Sequence, residues 1–272
     1  MISDLLALAS AVSFGLADFS GGIAAKRAPA TVVVFFAHCV GLAIGVVLAL
    51  LLPGSPVAST FVAGSVAGLS GAVGLVALYQ GLASGRIAVV APVSAVVGTG
   101  VPVLWGIVTG DRLGPLGWVG VGLALVAIVL VSVNGSIRGS GLREAVLAGL
   151  GFAGFFLALS FTELDEGLWP LVPARMVSII TLAGLLLVRK RPFSLPAPAR
   201  APMALAGTGD MAANTLYLAA VQRGLLSSAV VLASLYPVVT VLAGRLVLRE
   251  HVSPLQWIGI ALAVVAVTLL AG

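Results

Sequence analysis

Four ionisable side chains stand inside long apolar stretches of this 272-residue sequence: Asp18, His38, Arg175 and Asp210. An ionised group at the middle of a membrane span costs roughly 2.5 to 3.5 kcal/mol on insertion scales, so each must face protein or water and is a functional candidate. Asp18 and Asp210 could bring two carboxylates to one midplane cavity, for proton coupling or for recognition of a cationic amino group. The alternative for both is a packing hydrogen bond or a partner for Arg175. Arg175 can hold a substrate carboxylate through its planar guanidinium, or pair with an acid when a gate closes. His38 can respond to protons, although a lone histidine on an apolar helix is more often simply hydrogen-bonded within the bundle.

The best constellation is Asp210, Asn214 and Tyr217, spaced by four and three residues and therefore aligned on one helix face. A polar stripe on an apolar helix reads as a cavity wall, or as a polar seam between helices. It ends at apolar Val221. Pro92, Pro102 and Pro237 each remove a backbone hydrogen bond and free a carbonyl one turn earlier. Thr99, Trp105, Ser234 and Tyr236 are the side chains near these expected kinks that could touch a solute, with Tyr79 and Gln80 near the end of another span. For the aromatics, a place in the interface belt or core is the competing reading.

The elements that must position these groups follow from composition. The chain is 60% hydrophobic and 8% charged with a mean hydropathy of +1.21, whereas soluble domains carry about 25% charged residues. No water-soluble fold of this size could bury so much apolar surface. Apolar runs between charged or Pro/Gly-rich breaks give spans at 4–24, 31–52, 60–82, 88–109, 115–133, 143–162, 168–188, 201–222, 227–247 and 254–271. The expected fold is an all-α integral membrane protein of ten transmembrane helices.

A net charge of +5 would suggest nucleic acid in a soluble protein, but here the few charges act as topology determinants, and no nucleic-acid partner is expected. Loops after odd-numbered spans and the helix end at Arg245 hold eleven of the fourteen positive residues: Lys26, Arg27, Arg86, Arg138, Arg143, Arg189, Lys190, Arg191, Arg200, Arg245 and Arg249. The positive-inside rule then places both termini outside the cytoplasm, in the inner (plasma) membrane of the cell. No basic segment precedes the first apolar run, so the first helix is expected to be retained rather than cleaved. Cys39 has no possible intrachain disulfide partner. With two histidines and one cysteine a structural zinc site is not expected, and the absence of a Gly-x4-Gly-Lys-Ser/Thr run argues against ATP as energy source. No cofactor is expected.

Shifting the chain by 139 residues aligns Asp111–Trp118 with Glu250–Trp257, and nine of 21 positions match from residue 111 to 131, including Pro115 with Pro254 and Trp118 with Trp257. A shift of 137 pairs Ala37-His38 with Ala174-Arg175. The duplication therefore divides the chain into 1–137 and 138–272. Five spans per unit is an odd number, so the second copy enters the membrane from the opposite side. Such inverted repeats frame a central cavity in secondary transporters. In that cavity Gly71, Leu75 and Leu78 are the repeat mates of Asp210, Asn214 and Tyr217, which predicts one polar and one greasy wall.

The run Leu235-Tyr236-Pro237, then Gly244-Arg245-Leu246-Val247-Leu248-Arg249-Glu250, then Gln256-Trp257-Ile258-Gly259 resembles the closing portion of an EamA-type member of the drug/metabolite transporter superfamily. Asp111 to Gly120 repeats the form, with Asp in place of Glu. The resemblance implies a non-enzymatic secondary transporter working by alternating access, most simply as a monomer. It implies an exporter of amino acids or related metabolites, while relatives also carry nucleosides, sugars and other solutes. The partners so implied are a small-molecule solute, membrane lipid and protons as coupling ion. An intramembrane lipid enzyme would need clustered His, Asp or Ser at the interface, which the sequence lacks; a channel-like or structural subunit predicts flux without saturation, or none.

Overall fold

The computed structural model describes residues 1–83, 87–132, 141–248 and 252–271. Arg86, Arg138 and the helix-end run Arg249-Glu250-His251 lie outside the described residues. The described chain is helical throughout, with α1 (Ile2–Ala25), α2 (Ala30–Leu51), α3 (Ala58–Ala83), α4 (Ile87–Thr109), α5 (Pro115–Ser132), α6 (Leu142–Leu159), a short 3₁₀ turn (Leu164–Glu166), α7 (Leu171–Val188), α8 (Ala197–Val221), α9 (Leu226–Ala233), α10 (Tyr236–Leu248) and α11 (Pro254–Ala271). Five segments are long and apolar enough to cross a bilayer: α1, α2, α3, α7 and the stretch Leu226–Leu248 that contains α9 and α10. Shorter apolar stretches lie in α4, α5 and α11. Large apolar side chains such as Leu50, Val62, Leu104, Val108, Ile180 and Leu187 point outward and exposed, which suits lipid rather than water.

Prolines shape the ends and one break. Pro29 and Pro196 directly precede α2 and α8, because the residue before a proline avoids helical geometry. The expected single span at 227–247 is two helices: Pro237 has no N–H to offer the Ala233 carbonyl, and the chain turns at Ser234 and Leu235 before resuming. The first-half counterpart differs, since α4 runs unbroken through Pro92 and Pro102. A lone missing bond is tolerated when the surrounding ladder holds, and α4 packs on α6. Helix α8 begins before the expected position 201 and contains Pro202. The carbonyl that Pro202 leaves free is that of Pro198, and Arg27 Nη1 donates to it at 2.6 Å.

The packing interleaves the two halves of the chain. Helix α1 lies on α8 and α3 on α6; α4 lies on α6 and α1 on α9 and α10; α3 lies on α7 and α2 on α8; α2 meets α7, and α5 meets α11. Exchanging each first-half helix for its second-half counterpart returns these same pairs. Small residues allow the approach. A Cβ added to Gly207 would stand 2.5 Å from the Ala37 carbonyl oxygen, and one added to Gly68 would collide with the Ala174 carbonyl. Gly68 and Gly207 are mates in the 139-residue offset, and Ala37 and Ala174 in the 137-residue offset.

Candidate functional site

Where α2, α7 and α8 converge, the polar residues of three helices meet. Arg175 sits in the first half of α7, at a helix position buried against α2 and α3. Its Nη2 donates to Asp210 Oδ2 at 2.5 Å, and its Nη1 contacts His38 Nε2 at 3.1 Å. His38 Nδ1 is hydrogen-bonded to Ser178 Oγ, one turn beyond Arg175 on α7. Asn214, one turn along α8, donates through Nδ2 to the Asp210 carbonyl at 2.7 Å and to Asp210 Oδ1 at 3.1 Å. The result is a four-member chain, Ser178–His38–Arg175–Asp210, extended by Asn214.

Two buried polar atoms of this cluster have no partner: Arg175 Nε, a donor, and Asn214 Oδ1, an acceptor. Leaving a buried polar atom unpaired costs about 1–3 kcal/mol, so such atoms mark places where something else can bind. Asp18 on α1 is buried as well and has no hydrogen-bond partner among the described residues.

These groups border a cavity of about 40 Å³ lined by Phe14, Asp18, His38, Gly71, Leu75, Phe152, Phe155, Phe156, Arg175, Asp210, Asn214 and Tyr236. That volume accommodates a few waters, whereas metabolite sites run to roughly 300 Å³ and more. The cavity as it stands is smaller than a metabolite site. The cavity is polar where α2, α7 and α8 face it and apolar where α1, α3 and α6 supply Phe14, Gly71, Leu75, Phe152, Phe155 and Phe156. Phe14, Phe156 and Tyr236 join edge to face, with centroids 6.2 and 6.4 Å apart.

Of the sequence candidates, Asp18, His38, Arg175, Asp210, Asn214 and Tyr236 come together at the cavity. Five do not line it. Tyr217 is fully buried beyond the polar stripe, donating to the Phe156 carbonyl at 3.2 Å and packing on that ring. Tyr79 is buried with its hydroxyl against Gly21 of α1. Thr99 returns its hydroxyl to the Ala95 carbonyl at 2.7 Å. Ser234 is buried at the α9–α10 break, and Trp105 is 40% exposed, edge-on to Phe161. The repeat mates behave alike: positions 71 and 210 line the cavity, as do 75 and 214, while 78 and 217 do not. Ser178 and the phenylalanines escaped the sequence reading. Ser178 sits three residues after Arg175, the spacing of one helix face, and that was the available signal.

One end of the bundle is tied by a second polar group. Glu166, buried in the 3₁₀ turn, accepts from the Thr60 hydroxyl at the start of α3 and, through Oε1, from the Glu163 N–H at 2.9 Å. Trp169 Nε1 donates to the Gly54 carbonyl at 3.2 Å, and the Ser55 N–H to the Asp165 carbonyl at 2.9 Å. Gln222, at the end of α8, donates to the Glu163 carbonyl at 2.9 Å. The α2–α3 and α6–α7 connections are thereby fastened to each other and to α8. Asp111, 116 residues earlier in the chain, accepts from the Ser227 N–H at 2.8 Å and so caps α9, a structural role.

No curated protein matches the chain. A protein known from its crystal structure shares the fold, with a TM-score of 0.74 over 98% of this chain and 95% of its own, at 18% identity. Residues 144–272, which carry α6 to α11, Arg175, Asp210 and Asn214, match the sequence profile of the EamA-like transporter family, a domain of the drug/metabolite transporter superfamily. A multi-pass membrane protein that moves a small solute fits both the apolar helices and the buried polar cavity. Residues 144–272, just under half of the chain, are thus similar to the EamA-like transporter family.

Proposed function

We propose that the chain is a secondary transporter that exports amino acids or related small metabolites by alternating access, without ATP. Ten spans arranged as two inverted five-helix repeats, 1–137 and 138–272, rock about the cavity, with both termini on the non-cytoplasmic side. The interleaved packing that maps onto itself when the halves are exchanged supports the repeat. The observation that carries the functional reading is the pair of unpartnered atoms at the cavity, Arg175 Nε and Asn214 Oδ1. A donor on a cation and an acceptor on an amide suit a solute bearing a carboxylate and an ammonium group. Asp18 supplies a carboxylate for the ammonium, and the phenylalanine wall accommodates an apolar side chain. The Thr60–Glu166 fastening serves as the closed gate on the non-cytoplasmic side.

Thermal unfolding of the purified protein against amino acids, nucleosides and organic cations tests this, because a ligand that binds only the folded state raises the melting temperature. An amino acid should raise it, and Asp210→Asn and Asn214→Ala should each abolish the rise. A shift from nucleosides or organic cations alone would replace the substrate class. A shift retained in both variants would remove the cavity as the site.

A further inference from the structure

The Arg175–His38 contact constrains where a proton can bind. A guanidinium has donors only, so the 3.1 Å contact of Arg175 Nη1 makes His38 Nε2 an acceptor. A neutral imidazole that accepts at Nε2 carries its proton on Nδ1, and Nδ1 is the atom bonded to Ser178 Oγ. Ser178 therefore accepts from the ring, which Arg175 holds in the Nδ1–H tautomer. Helix α7 thus supplies both neighbours of the imidazole, a cationic donor on one nitrogen and a hydroxyl acceptor on the other.

A proton from water in the cavity can add only at Nε2, whose lone pair Arg175 occupies. Imidazolium would set N–H against N–H and positive charge beside positive charge, so proton binding and the Arg175 contact exclude each other. The other charged groups around the ring are Asp210 from α8 and Asp18 from α1, which line the same cavity; α3 contributes the buried, titratable Tyr79. Asp210 retains Arg175 when the histidine lets go. Asp18, without a hydrogen-bond partner among the described residues, is the counter-charge available to an imidazolium.

The geometry points to His38 as the proton-binding switch of the transporter, its protonation releasing Arg175 and loosening α2 from α7, with Ser178 as the positioning residue that accepts from Nδ1–H and sets the orientation of the ring. The transport half of this statement rests on the proposed function; the tautomer does not. Proton uptake and opening of the cavity become one event.

Two measurements test it. The chain has two histidines, so ¹⁵N-histidine NMR of a His251→Gln protein reports His38 alone. At about pH 8 it should show the Nδ1–H tautomer, and Arg175→Gln, whose amide can donate or accept, should admit the other. An Nε2–H tautomer in the otherwise unaltered protein overturns the inference. In proteoliposomes, exchange of radiolabelled L-leucine should be severalfold faster at about pH 5 than at about pH 7, because burial and the Arg175 charge both oppose protonation of the ring, and His38→Gln should flatten that ratio to within about twofold, whatever its absolute rate. Ser178→Ala, which keeps the imidazole, should displace the profile and guards against a folding failure of His38→Gln. A His38→Gln protein with the normal pH profile, alongside an Asp18→Asn protein that has lost it, moves the switch to Asp18. If the unaltered protein exchanges no L-leucine, the amino-acid reading falls, and the tautomer alone decides the inference.

Discussion

Removing the carboxylate of Asp210 should destabilise the fold more than removing the guanidinium of Arg175, although the two share one ion pair. The pair is buried, with Arg175 Nη2 2.5 Å from Asp210 Oδ2. Breaking a buried pair by deleting one partner costs about 3–5 kcal/mol, because a lone charge remains in a dry site. The two survivors are not equivalent. In Arg175→Gln the carboxylate keeps the Asn214 amide at 3.1 Å, and a carboxyl group can also neutralise itself by taking a proton. In Asp210→Asn the guanidinium cannot shed its charge, and only neutral acceptors, His38 Nε2 and the new amide oxygen, are left in hydrogen-bond contact with it. Asp210→Asn should therefore cost about 3–5 kcal/mol, a factor of roughly 150 to 4,000 in the unfolding constant. Arg175→Gln should cost at least about 1 kcal/mol less, and the double variant less than the sum of the two. Reversible unfolding in mixed detergent micelles, followed by far-UV circular dichroism, supplies all four corners of the cycle. Additive costs, or an Asp210→Asn protein within about 1 kcal/mol of the unaltered one, would refute the ion pair as described.

Other consequences are as specific. Gly207→Ala places a methyl 2.5 Å from the Ala37 carbonyl oxygen and should destabilise by about 1–3 kcal/mol in the same unfolding assay, as overpacking does; Gly207→Ser should be no better. Thr60→Val removes the hydroxyl that serves buried Glu166 and should cost about 1–3 kcal/mol, while raising protease sensitivity at the α6–α7 connection. A membrane-impermeant reagent should reach a cysteine introduced at Arg112 and not one at Arg191 in intact cells; the reverse would invert the orientation read from the loop charges.

Much of the architecture was legible before any coordinates. Spanning helices are recognised by composition over about 20 residues, and the helices lie within about four residues of the expected spans. The departures are local proline chemistry: the break before Pro237 and the early start of α8 through Pro202, made tolerable by Arg27. The repeat offsets anticipated that Gly71 and Leu75 would face the cavity opposite Asp210 and Asn214. Periodicity placed Tyr217 on the same stripe, yet its hydroxyl goes to the Phe156 carbonyl. A shared helix face says nothing about depth, and two turns along α8 the neighbouring helix has closed over that face.

Composition and spacing alone thus pointed to a bilayer, to where the helices run, to the expectation that the halves are related, and to the few polar groups that need partners. Those are properties of short windows or of the chain compared with itself. Which polar groups find each other was decided by the tertiary fold. Arg175 meets His38 and Asp210 from positions 137 and 35 residues away, and Ser178 completes the chain. These meetings depend on how far each helix is rotated and how deeply it is set. Both are fixed where backbones touch, at Gly68 against Ala174 and Gly207 against Ala37, contacts between residues far apart in sequence that no local pattern encodes.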